Sequence, residues 1–567
     1  MRTSHRLALA GGAAALSAAV MAPMAIAAPP AVSTNQKSIE LALAGSYETG
    51  VYGESAAEIP AFDAKNSRLF VVNAQKGAID VLKVDTKASL SFETTLTVAG
   101  VSAADGSVIE SGATVNSVAV SNGILSVAVE ADEKTDLGWL VFYNSKTLAP
   151  LGAVRVGALP DSVAVAGNGS YAVVANEGEP ADDFSVDPEG TISVVTLPKN
   201  VNQFSRLSQD SVRTVNFRAY DEGTALPEGV RVFGPDVQTP ADQPDAGRIA
   251  RNLEPEYVTI DPTGKTAYVS VQEANAVAVV DLASATLTDL WALQLTDWST
   301  EGALDASDRD GGINLKNWPV MGVPMPDGMD SYRYRGQDLV VTANEGDGRE
   351  WGDFIDEERI KDVDLCTSAF PDAKELRKDA NIGRLKIIAD LGLSASGDCY
   401  ETLHAYGARS FSIFTADGER LFDSAGLIEQ SIKDLIDAGE LPEHAFNANN
   451  DESPTFDSRS DDKGPEPEGV VIGEIQRNTY AFVGLERIGG VMVFDITDPT
   501  KGEFVQYVNE RNWDAEGDDA EAGQGDLGAE GLTFVPASDS PRKKALVIVA
   551  HEVSGSTSVY EITPTRR

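Results

Sequence analysis

The chain has 567 residues, and its 42% hydrophobic content is enough to form a packed core, which excludes wholesale disorder. Its formal net charge is −43 at pH 7, and a surface this acidic repels nucleic acid and anionic membranes, so neither is expected as a partner. Two interpretations of the charge remain open: solubility in a salty environment, or a functional acidic surface.

The N-terminus has the pattern of a secretory signal peptide. Arg2 and Arg6 precede a mostly apolar stretch, and Ala25-Ile-Ala27 supplies the small residues of a cleavage site. We predict a signal peptide over 1–27; the alternative is an uncleaved anchor, which Gly and Pro residues would weaken. No other stretch of the sequence reaches the roughly 20 apolar residues of a spanning helix, so no membrane span is expected after cleavage.

From about residue 56 onward, short β-rich runs recur with turn residues between them. Clear copies begin at Glu254, Pro467 and Ala529, and each contains runs such as Thr266-Ala-Tyr-Val-Ser-Val. Several short strands per repeat are typical of one blade of a β-propeller. We count seven repeats and predict an all-β fold: a single seven-bladed β-propeller over 28–567, with long decorated loops and a few short helices.

Three insertions interrupt the repeats, at about 198–253, 346–406 and 427–464. We predict a helix in the last one, because apolar residues from Leu427 recur at helical spacing, and a helix-like stretch at 354–363. The early run Lys37-Ser-Ile-Glu-Leu-Ala-Leu-Ala is predicted to add an outer strand to the last blade, which would close the ring.

The chain contains two cysteines, Cys366 and Cys399, both in the 346–406 insertion. An isolated pair in an exported protein predicts a disulfide, which would contribute roughly 3 kcal/mol by loop-closure entropy.

An acidic residue recurs at two places in the repeats. The second run of a repeat ends in Glu130, Glu177, Glu273, Glu345, Glu486 or Glu552, and the first run opens with Glu256, Glu468 or Glu530, with Asp161 and Asn116 in the same slot. Because one hairpin separates the two places, both acids should lie at the same end of each blade. They predict a binding surface around the propeller axis, or carboxylates that accept hydrogen bonds from neighbouring backbone N–H groups.

The segment Leu304-Asp-Ala-Ser-Asp308-Arg-Asp310-Gly-Gly-Ile-Asn314 is the strongest candidate for a cation loop. Closely spaced oxygen ligands suit Ca²⁺, and Asp308, Asp310 and Asn314 are the candidate ligands. It departs from the EF-hand pattern, and an Asx-rich turn is the alternative.

A second candidate lies within the fifth repeat, where its second strand ends and the 346–406 insertion begins. Glu345 and Asp347 are further candidate metal ligands, and Arg349, Glu350 and Arg487 are candidates for binding an anionic ligand. The alternative for this segment is a solvated, self-paired acidic surface. A Ser-His-Asp hydrolase has little support, because Leu391-Gly-Leu-Ser-Ala-Ser-Gly397 lacks the nucleophile-elbow spacing.

Several long phrases resemble the bacterial choice-of-anchor I family. They are Asp308-Arg-Asp-Gly-Gly-Ile-Asn-Leu-Lys-Asn-Trp-Pro319, Thr342-Ala-Asn-Glu-Gly-Asp347, Pro467-Glu-Gly-Val470, Ala481-Phe-Val-Gly-Leu-Glu-Arg-Ile-Gly-Gly490 and Val549-Ala-His-Glu-Val-Ser-Gly-Ser-Thr557. The resemblance implies an exported β-propeller, some members being labelled alkaline phosphatase-like. The family often has a C-terminal anchor, whereas here the chain stops at Arg567, so we expect a periplasmic or secreted protein.

These observations predict two functions. The first is an exported binding or interaction module, stabilised by Ca²⁺, which binds an unknown ligand or protein partner at the propeller face and is expected to be a monomer. The alternative is a metal-dependent phosphohydrolase that uses the same acidic face.

Overall fold

A computed structural model of the chain describes residues 38–234, 246–351, 354–450, 455–515 and 523–565. The predicted signal peptide at 1–27 lies outside the described residues. No helix in the described part of the chain is long and apolar enough to cross a membrane.

The described residues form seven four-stranded antiparallel sheets, which we number I to VII. Each sheet is built from strands that are consecutive in the chain, apart from sheet V, whose second and third strands are separated by the strands of the 346–406 insertion, and sheet VII, whose outer strand comes from the beginning of the described chain. Sheets I to IV contain the following strands: Pro60–Asp63, Arg68–Asn73, Ala78–Val84 and Leu90–Thr97 (I); Thr114–Ser121, Ile124–Glu130, Leu137–Asn144 and Pro150–Ala158 (II); Pro160–Val165, Tyr171–Asn176, Thr191–Thr196 and Val212–Asn216 (III); Val258–Ile260, Thr266–Val271, Ala276–Asp281 and Thr286–Ala292 (IV).

Sheets V to VII complete the set. Their strands are Met329–Tyr334, Gln337–Asn344, Ser410–Thr415 and Arg420–Asp423 (V); Pro467–Ile475, Asn478–Leu485, Val491–Asp495 and Glu503–Val508 (VI); Ala529–Val535, Leu546–His551, Ser556–Pro564 and Ile39–Glu48 (VII). The outer strand Ile39–Glu48 pairs antiparallel with Ser556–Pro564, which confirms the prediction that the early run closes the last sheet.

The sheets form a closed ring. The first strand of each sheet contacts the first strand of the next, and that of sheet VII contacts that of sheet I. Seven clusters of buried apolar side chains fill the seven junctions between neighbouring sheets. Sheets packed face to face around an axis, with first strands innermost, are the arrangement of a β-propeller.

The insertions carry the remaining elements. The α-helices are Arg218–Asp221, Arg248–Asn252, Ala373–Leu376 and Leu427–Asp437, and the 3₁₀ turns are Ala74–Lys76, Val201–Arg206, Gln209–Ser211, Ile360–Asp362 and Glu443–Ala445. The helix predicted from Leu427 is confirmed. The insertion predicted from 198 contains Val212–Asn216, which is the outer strand of sheet III.

Small sheets organise the insertion at 346–406. Its strands are Glu350–Trp351 with Phe354–Ile355, Glu357–Arg359 with Lys386–Ile388, and His404–Tyr406, which pairs with Met321–Val323; that strand in turn pairs with Thr296–Asp297. The prediction of a helix-like stretch at 354–363 is wrong for its first part, because Phe354–Ile355 and Glu357–Arg359 pair as short strands, and only Ile360–Asp362 forms a single 3₁₀ turn. The predicted disulfide between Cys366 and Cys399 is present and closes part of this insertion.

Candidate functional site

The acidic residues that open the first strands lie at the start of the innermost strand of their sheets. In sheets III, VI and VII the strand register shifts where the acid stands, between Pro160 and Val163, Pro467 and Val470, and Ala529 and Leu532. A β-bulge turns its extra residue away from the regular ladder. The bulges therefore remove these carboxylates from the alternation that buries their apolar neighbours.

A glycine after the acid allows the inner strands to approach closely. A Cβ added to Gly469 would lie 2.2 Å from the carbonyl oxygen of Glu530 in the next sheet, and one added to Gly531 would lie 2.3 Å from that of Glu58. These distances are too short for any side chain. The recurring acid-glycine pair thus combines a carboxylate with the close approach that a narrow axis requires.

The acids that end the second strands lie beside those that open the first strands, as the hairpin geometry predicts. Glu177, Glu256 and Glu273, from sheets III and IV, each offer a carboxylate oxygen, and these oxygens lie within 4.8 Å of one another. We call these three residues the Glu256 group. Asp327, Glu345 and Glu468, from sheets V and VI, meet the same criterion.

Several of these carboxylates have an oxygen that nothing satisfies. One buried oxygen of each of Glu256, Glu273, Glu468 and Glu530 has no hydrogen-bond partner among the described residues. Glu273 is only 4% exposed. A buried carboxylate without a donor is costly unless a proton or a cation neutralises it.

Burial and crowding raise the pKa of these groups. Burial is the largest cause for Glu256, Glu177 and Glu273, and repulsion from neighbouring carboxylates adds to it, so that the pKa of Glu256 and of Glu177 lies well above the ordinary value. The same causes raise the pKa of Asp161 to about 7 and that of Glu58 to about 8. Carboxylates whose pKa reaches neutrality can exchange their protons for a cation.

The other side of the axis is neutralised by the protein itself. Glu466 is fully buried and accepts hydrogen bonds from Arg459 and Arg487, and Lys463 Nζ lies 3.1 Å from its Oε2. Burial alone would raise the pKa of Glu466, but these three cations lower it below the ordinary value. We call Glu466, Lys463, Arg459 and Arg487 the Glu466 group.

Lys463 connects the two sides. Its Nζ also donates to Glu345 Oε1 at 2.7 Å and lies 3.5 Å from Asp347. The second oxygen of Glu345 accepts a hydrogen bond from Gln272 at 2.9 Å. Glu345 is therefore satisfied within the protein, although its oxygens lie within 4.8 Å of those of Glu466 and Glu486.

Arg349 lies between the Glu256 group and the insertion. Its Nη2 is 2.6 Å from Glu254, its Nε is 3.4 Å from Glu273, and its guanidinium stacks on the rings of Phe233 and Trp351 at 4.2 and 4.5 Å. This one cation faces several carboxylates, which leaves the acidic side of the axis with an excess of negative charge.

A polar cavity of about 410 Å³ opens between the two sides. Acidic and basic side chains both line it: Glu179, Glu273, Asp347, Arg349, Glu350, Glu357, Lys386, Arg459, Asp462, Lys463 and Arg487. Its size suits a small polar molecule or one or two side chains of a partner.

The structure brings only some of the sequence-predicted residues together. Asp347, Arg349, Glu350 and Arg487 line the cavity. Burial raises the pKa of Glu468 and of Glu530; the charges of Glu486, Glu530 and Glu345 raise the pKa of Glu468 further, and Glu486 also raises that of Glu530. The pKa of Glu256 is raised, after burial, by a different set, Glu273, Glu177, Asp327 and Asp161. Glu552 acts on Glu530 in the same way and accepts a hydrogen bond from Ser55.

The predicted cation loop is divided. Asp308 accepts a hydrogen bond from Arg384 at 2.6 Å, and the side chain of Asn314 donates to the carbonyl of Gly312. Asp310 has a carboxylate oxygen within 4.8 Å of oxygens of Asp305 and Asp457. Neither Glu345 nor Asp347 belongs to this cluster.

Sequence reasoning missed Glu58, Asp327 and the Glu466 group apart from Arg487. Asp327 had a detectable signal, because Pro326-Asp-Gly-Met repeats the phrase Pro467-Glu-Gly-Val. Glu466 also had one, because Glu466-Pro-Glu-Gly-Val repeats the phrase Glu254-Pro-Glu-Tyr-Val, whereas Lys463 had none, because it belongs to the 427–464 insertion, which no repeat predicts.

Comparison with known proteins gives one family and distant relatives. The choice-of-anchor I domain model matches residues 58–499. Gigasin-3a of Magallana gigas is 27% identical over 196 residues, which are 33% of this chain and 66% of that protein. A mesenchyme-specific cell surface glycoprotein of Strongylocentrotus purpuratus is 28% identical over 290 residues, 45% of this chain and 36% of that protein. The chain thus spans less than two thirds of the length of these relatives.

Among solved structures, hydrazine synthase of Kuenenia stuttgartiensis aligns with 92% of this chain and 100% of that chain, at 11% identity and a TM-score of 0.44. Streptogramin B lyase aligns with 93% of this chain and 98% of that chain, at 8% identity and a TM-score of 0.41. Likeness at this level carries no functional argument.

Proposed function

This chain belongs to the choice-of-anchor I family, and we propose that it is an exported binding module whose axial carboxylates hold a divalent cation, Ca²⁺ by preference. The cation sits in the Glu256 group, and a ligand or protein partner enters the adjoining cavity of about 410 Å³. Export to the periplasm or the medium is part of the proposal, supported by the Cys366–Cys399 disulfide.

The observation that carries the proposal is the crowding of Glu177, Glu256 and Glu273. Their oxygens lie within 4.8 Å of one another, and Glu256 and Glu273 each have a buried oxygen that no described residue satisfies. Each pair of full charges at that distance would repel by about 3–4 kcal/mol at an effective dielectric constant near 20. A divalent cation removes this repulsion.

The donor set favours Ca²⁺ over other metals. Carboxylates are hard oxygen ligands, which exclude the soft-ligand metals, and three of them supply up to six oxygens in an irregular arrangement. Ca²⁺ accepts six to eight oxygens in flexible geometry, whereas Mg²⁺ demands a regular octahedron.

Calorimetric titration of the mature protein with Ca²⁺ tests the proposal. Because the carboxylate ligands have raised pKa values, binding should release protons, so the measured enthalpy should change with the ionisation enthalpy of the buffer. Glu256→Gln should weaken binding at least about tenfold, whereas Glu474→Gln, at an exposed strand position, should not. Unchanged Ca²⁺ affinity in Glu256→Gln would overturn the axial site.

A metal-dependent phosphohydrolase is the second candidate. The observation that favours it is the set of basic residues lining the same cavity as Glu273, namely Arg349, Lys386, Arg459, Lys463 and Arg487. A cation would polarise a phosphate while these residues hold its other oxygens. Hydrolysis of p-nitrophenyl phosphate that requires Ca²⁺ and falls at least about 100-fold in Glu256→Gln would support the phosphohydrolase. Absence of turnover would favour the binding module.

A further inference from the structure

A second group of carboxylates lies outside the axial site. Asp305, Asp310 and Asp457 each offer an oxygen, and these oxygens lie within 4.8 Å of one another. Asp305 is fully buried and Asp457 is 2% exposed. Asp305 and Asp310 belong to the loop between Leu304 and Lys316, whose ends pair with each other, and Asp457 comes from the 427–464 insertion.

No basic side chain among the described residues forms an ion pair with any of these three acids. Backbone N–H groups of Ser307 and Asn314 donate to Asp305, and the Ser460 hydroxyl donates to Asp457. Burial, followed by repulsion within the group and from Glu429, raises the pKa of Asp457 to about 8.

Two more buried side chains, Glu429 and Asn447, lie near the group, and each has one oxygen without a hydrogen-bond partner among the described residues. Asn447 Nδ2 donates to Ser460, which in turn donates to Asp457. Glu429 is 1% exposed, and its charge acts on both Asp305 and Asp457; its Oε1 accepts hydrogen bonds from Arg409 and Asn447, while its Oε2 has no partner in the described chain. Asn447 is fully buried, and its Oδ1 is likewise unsatisfied among the described residues. Unsatisfied oxygens at this depth are the donors that a hard cation uses.

We propose that Asp305, Asp310 and Asp457 form a second divalent-cation site, Ca²⁺ by preference, with Glu429 and Asn447 as additional oxygen donors. The cation joins the 304–316 loop to the segment 455–466. Because that segment also carries Arg459, Lys463 and Glu466, the second cation fixes the position of the basic residues that line the axial cavity.

Arg409 also links the 304–316 loop to the segment 455–466. Its Nη1 donates to the carbonyl of Asp305, and its Nη2 donates to the carbonyls of Ser460 and Asp462. The guanidinium therefore connects the backbones of the same two segments, while its charge is directed to Glu429 at 2.9 Å. Arg409 therefore does not neutralise the carboxylates of Asp305, Asp310 and Asp457, which can bind the cation.

Hydrogen–deuterium exchange with Ca²⁺ or with EDTA tests the second site in the full mature chain. Ca²⁺ should slow exchange at least about tenfold in 304–316 and 455–466, and should do so equally in the axial variant Glu256→Gln, which separates this site from the axial one. Asp457→Asn should abolish the Ca²⁺ effect in both segments.

Two more variants guard against misfolding. Asp310→Asn, at a less buried ligand, should raise the Ca²⁺ concentration for half-protection at least about tenfold while the exchange elsewhere stays as in wild type. Asp308→Asn, whose partner is Arg384, should leave the Ca²⁺ dependence unchanged. Absence of Ca²⁺-dependent protection in wild type, or full protection in Asp310→Asn and Asp457→Asn, would overturn the second site.

Discussion

The Glu256 group and the Glu466 group are both crowded with buried carboxylates, but their charge balance differs. Three basic side chains pair with the single carboxylate of Glu466, whereas Arg349, at Glu273, is the one basic side chain among the described residues that forms an ion pair with the Glu256 group. The three cations lower the pKa of Glu466, whereas Glu256 meets other carboxylates and its pKa rises. The same residue type at the same end of one propeller therefore has opposite electrostatic surroundings.

The difference shows what distinguishes a candidate cation site from a salt-bridge network. Proximity of carboxylates does not, because Glu345, Glu466 and Glu486 lie as close together as the Glu256 group. The balance of charge and the presence of unsatisfied carboxylate oxygens distinguish the two, because a group that the protein itself neutralises has no need of an external cation. The following four predictions test this contrast, from the largest expected effect to the smallest.

Removing the central cation of the neutralised side should have the largest effect. Lys463→Met leaves Glu345 without its basic partner and removes one of the three cations around Glu466, so the free energy of unfolding should fall by about 3–5 kcal/mol in urea denaturation. Lys501→Met, at a side chain that is 67% exposed and paired with Asp498, should change it by less than about 0.5 kcal/mol. Equal effects of the two variants would refute the contrast.

Wild-type stability in EDTA should fall as the pH rises from about 5 to 8. The pKa of Asp161 is raised to about 7 and that of Glu58 to about 8, so the folded state holds protons that the unfolded chain has already lost. This contribution is fully present below the ordinary carboxyl pKa near 4 and is lost progressively as the pH rises to these values. Solvent screening of the two half-buried side chains reduces the full linkage value, so we expect a total loss of about 2–4 kcal/mol. Urea denaturation at several pH values measures it, and a rise in stability over this range would contradict it.

Gly469→Ala tests the close approach of the inner strands. The new Cβ would lie 2.2 Å from the carbonyl oxygen of Glu530, so the strands must separate, at a cost of about 1–3 kcal/mol in the free energy of unfolding. Gly439→Ala provides a comparison at a glycine with open space around it, although its φ of +74° adds local strain. A smaller loss in Gly469→Ala than in Gly439→Ala would show that the inner strands are not constrained.

Glu256→Gln should have the smallest effect, and in the opposite direction. Burial and neighbouring carboxylates raise the pKa of Glu256, so in EDTA the wild-type protein loses stability as the pH rises above the ordinary carboxyl pKa, a loss that the neutral Gln does not share. The free energy of unfolding of the variant relative to wild type should therefore increase by about 1 kcal/mol between pH 5 and pH 8. Glu466→Gln should instead destabilise the protein at both pH values, since it removes the partner of three cations.

The fold was more predictable from the sequence than the site. Alternating apolar runs and the recurring acidic residue predict the sheets, the common end of the acids and even the closing strand Ile39–Glu48, because these depend on local patterns repeated along the chain. The short strands at 354–359 were not predictable in this way, since their pairing partners are set by the folding of the insertion.

The charge balance of the site depends on contacts between distant segments. Lys463 and Glu345 are separated by more than a hundred positions and meet only because the 427–464 insertion returns to the axis. Asp457 reaches Asp305 and Asp310 in the same manner. A sequence without an alignment carries the residue types but not these pairings, so it could name Asp310 and Glu345 as candidate ligands without separating their surroundings.

Anomalous diffraction from crystals grown with Ca²⁺ at pH 8 tests the central claim most directly. The account predicts a Ca²⁺ peak between the carboxylates of Glu177, Glu256 and Glu273, and no peak beside Glu466, where Lys463, Arg459 and Arg487 already supply the positive charge. Carboxylates of the Glu256 group that hydrogen-bond to one another without a bound ion, or a Ca²⁺ peak beside Glu466, would contradict it.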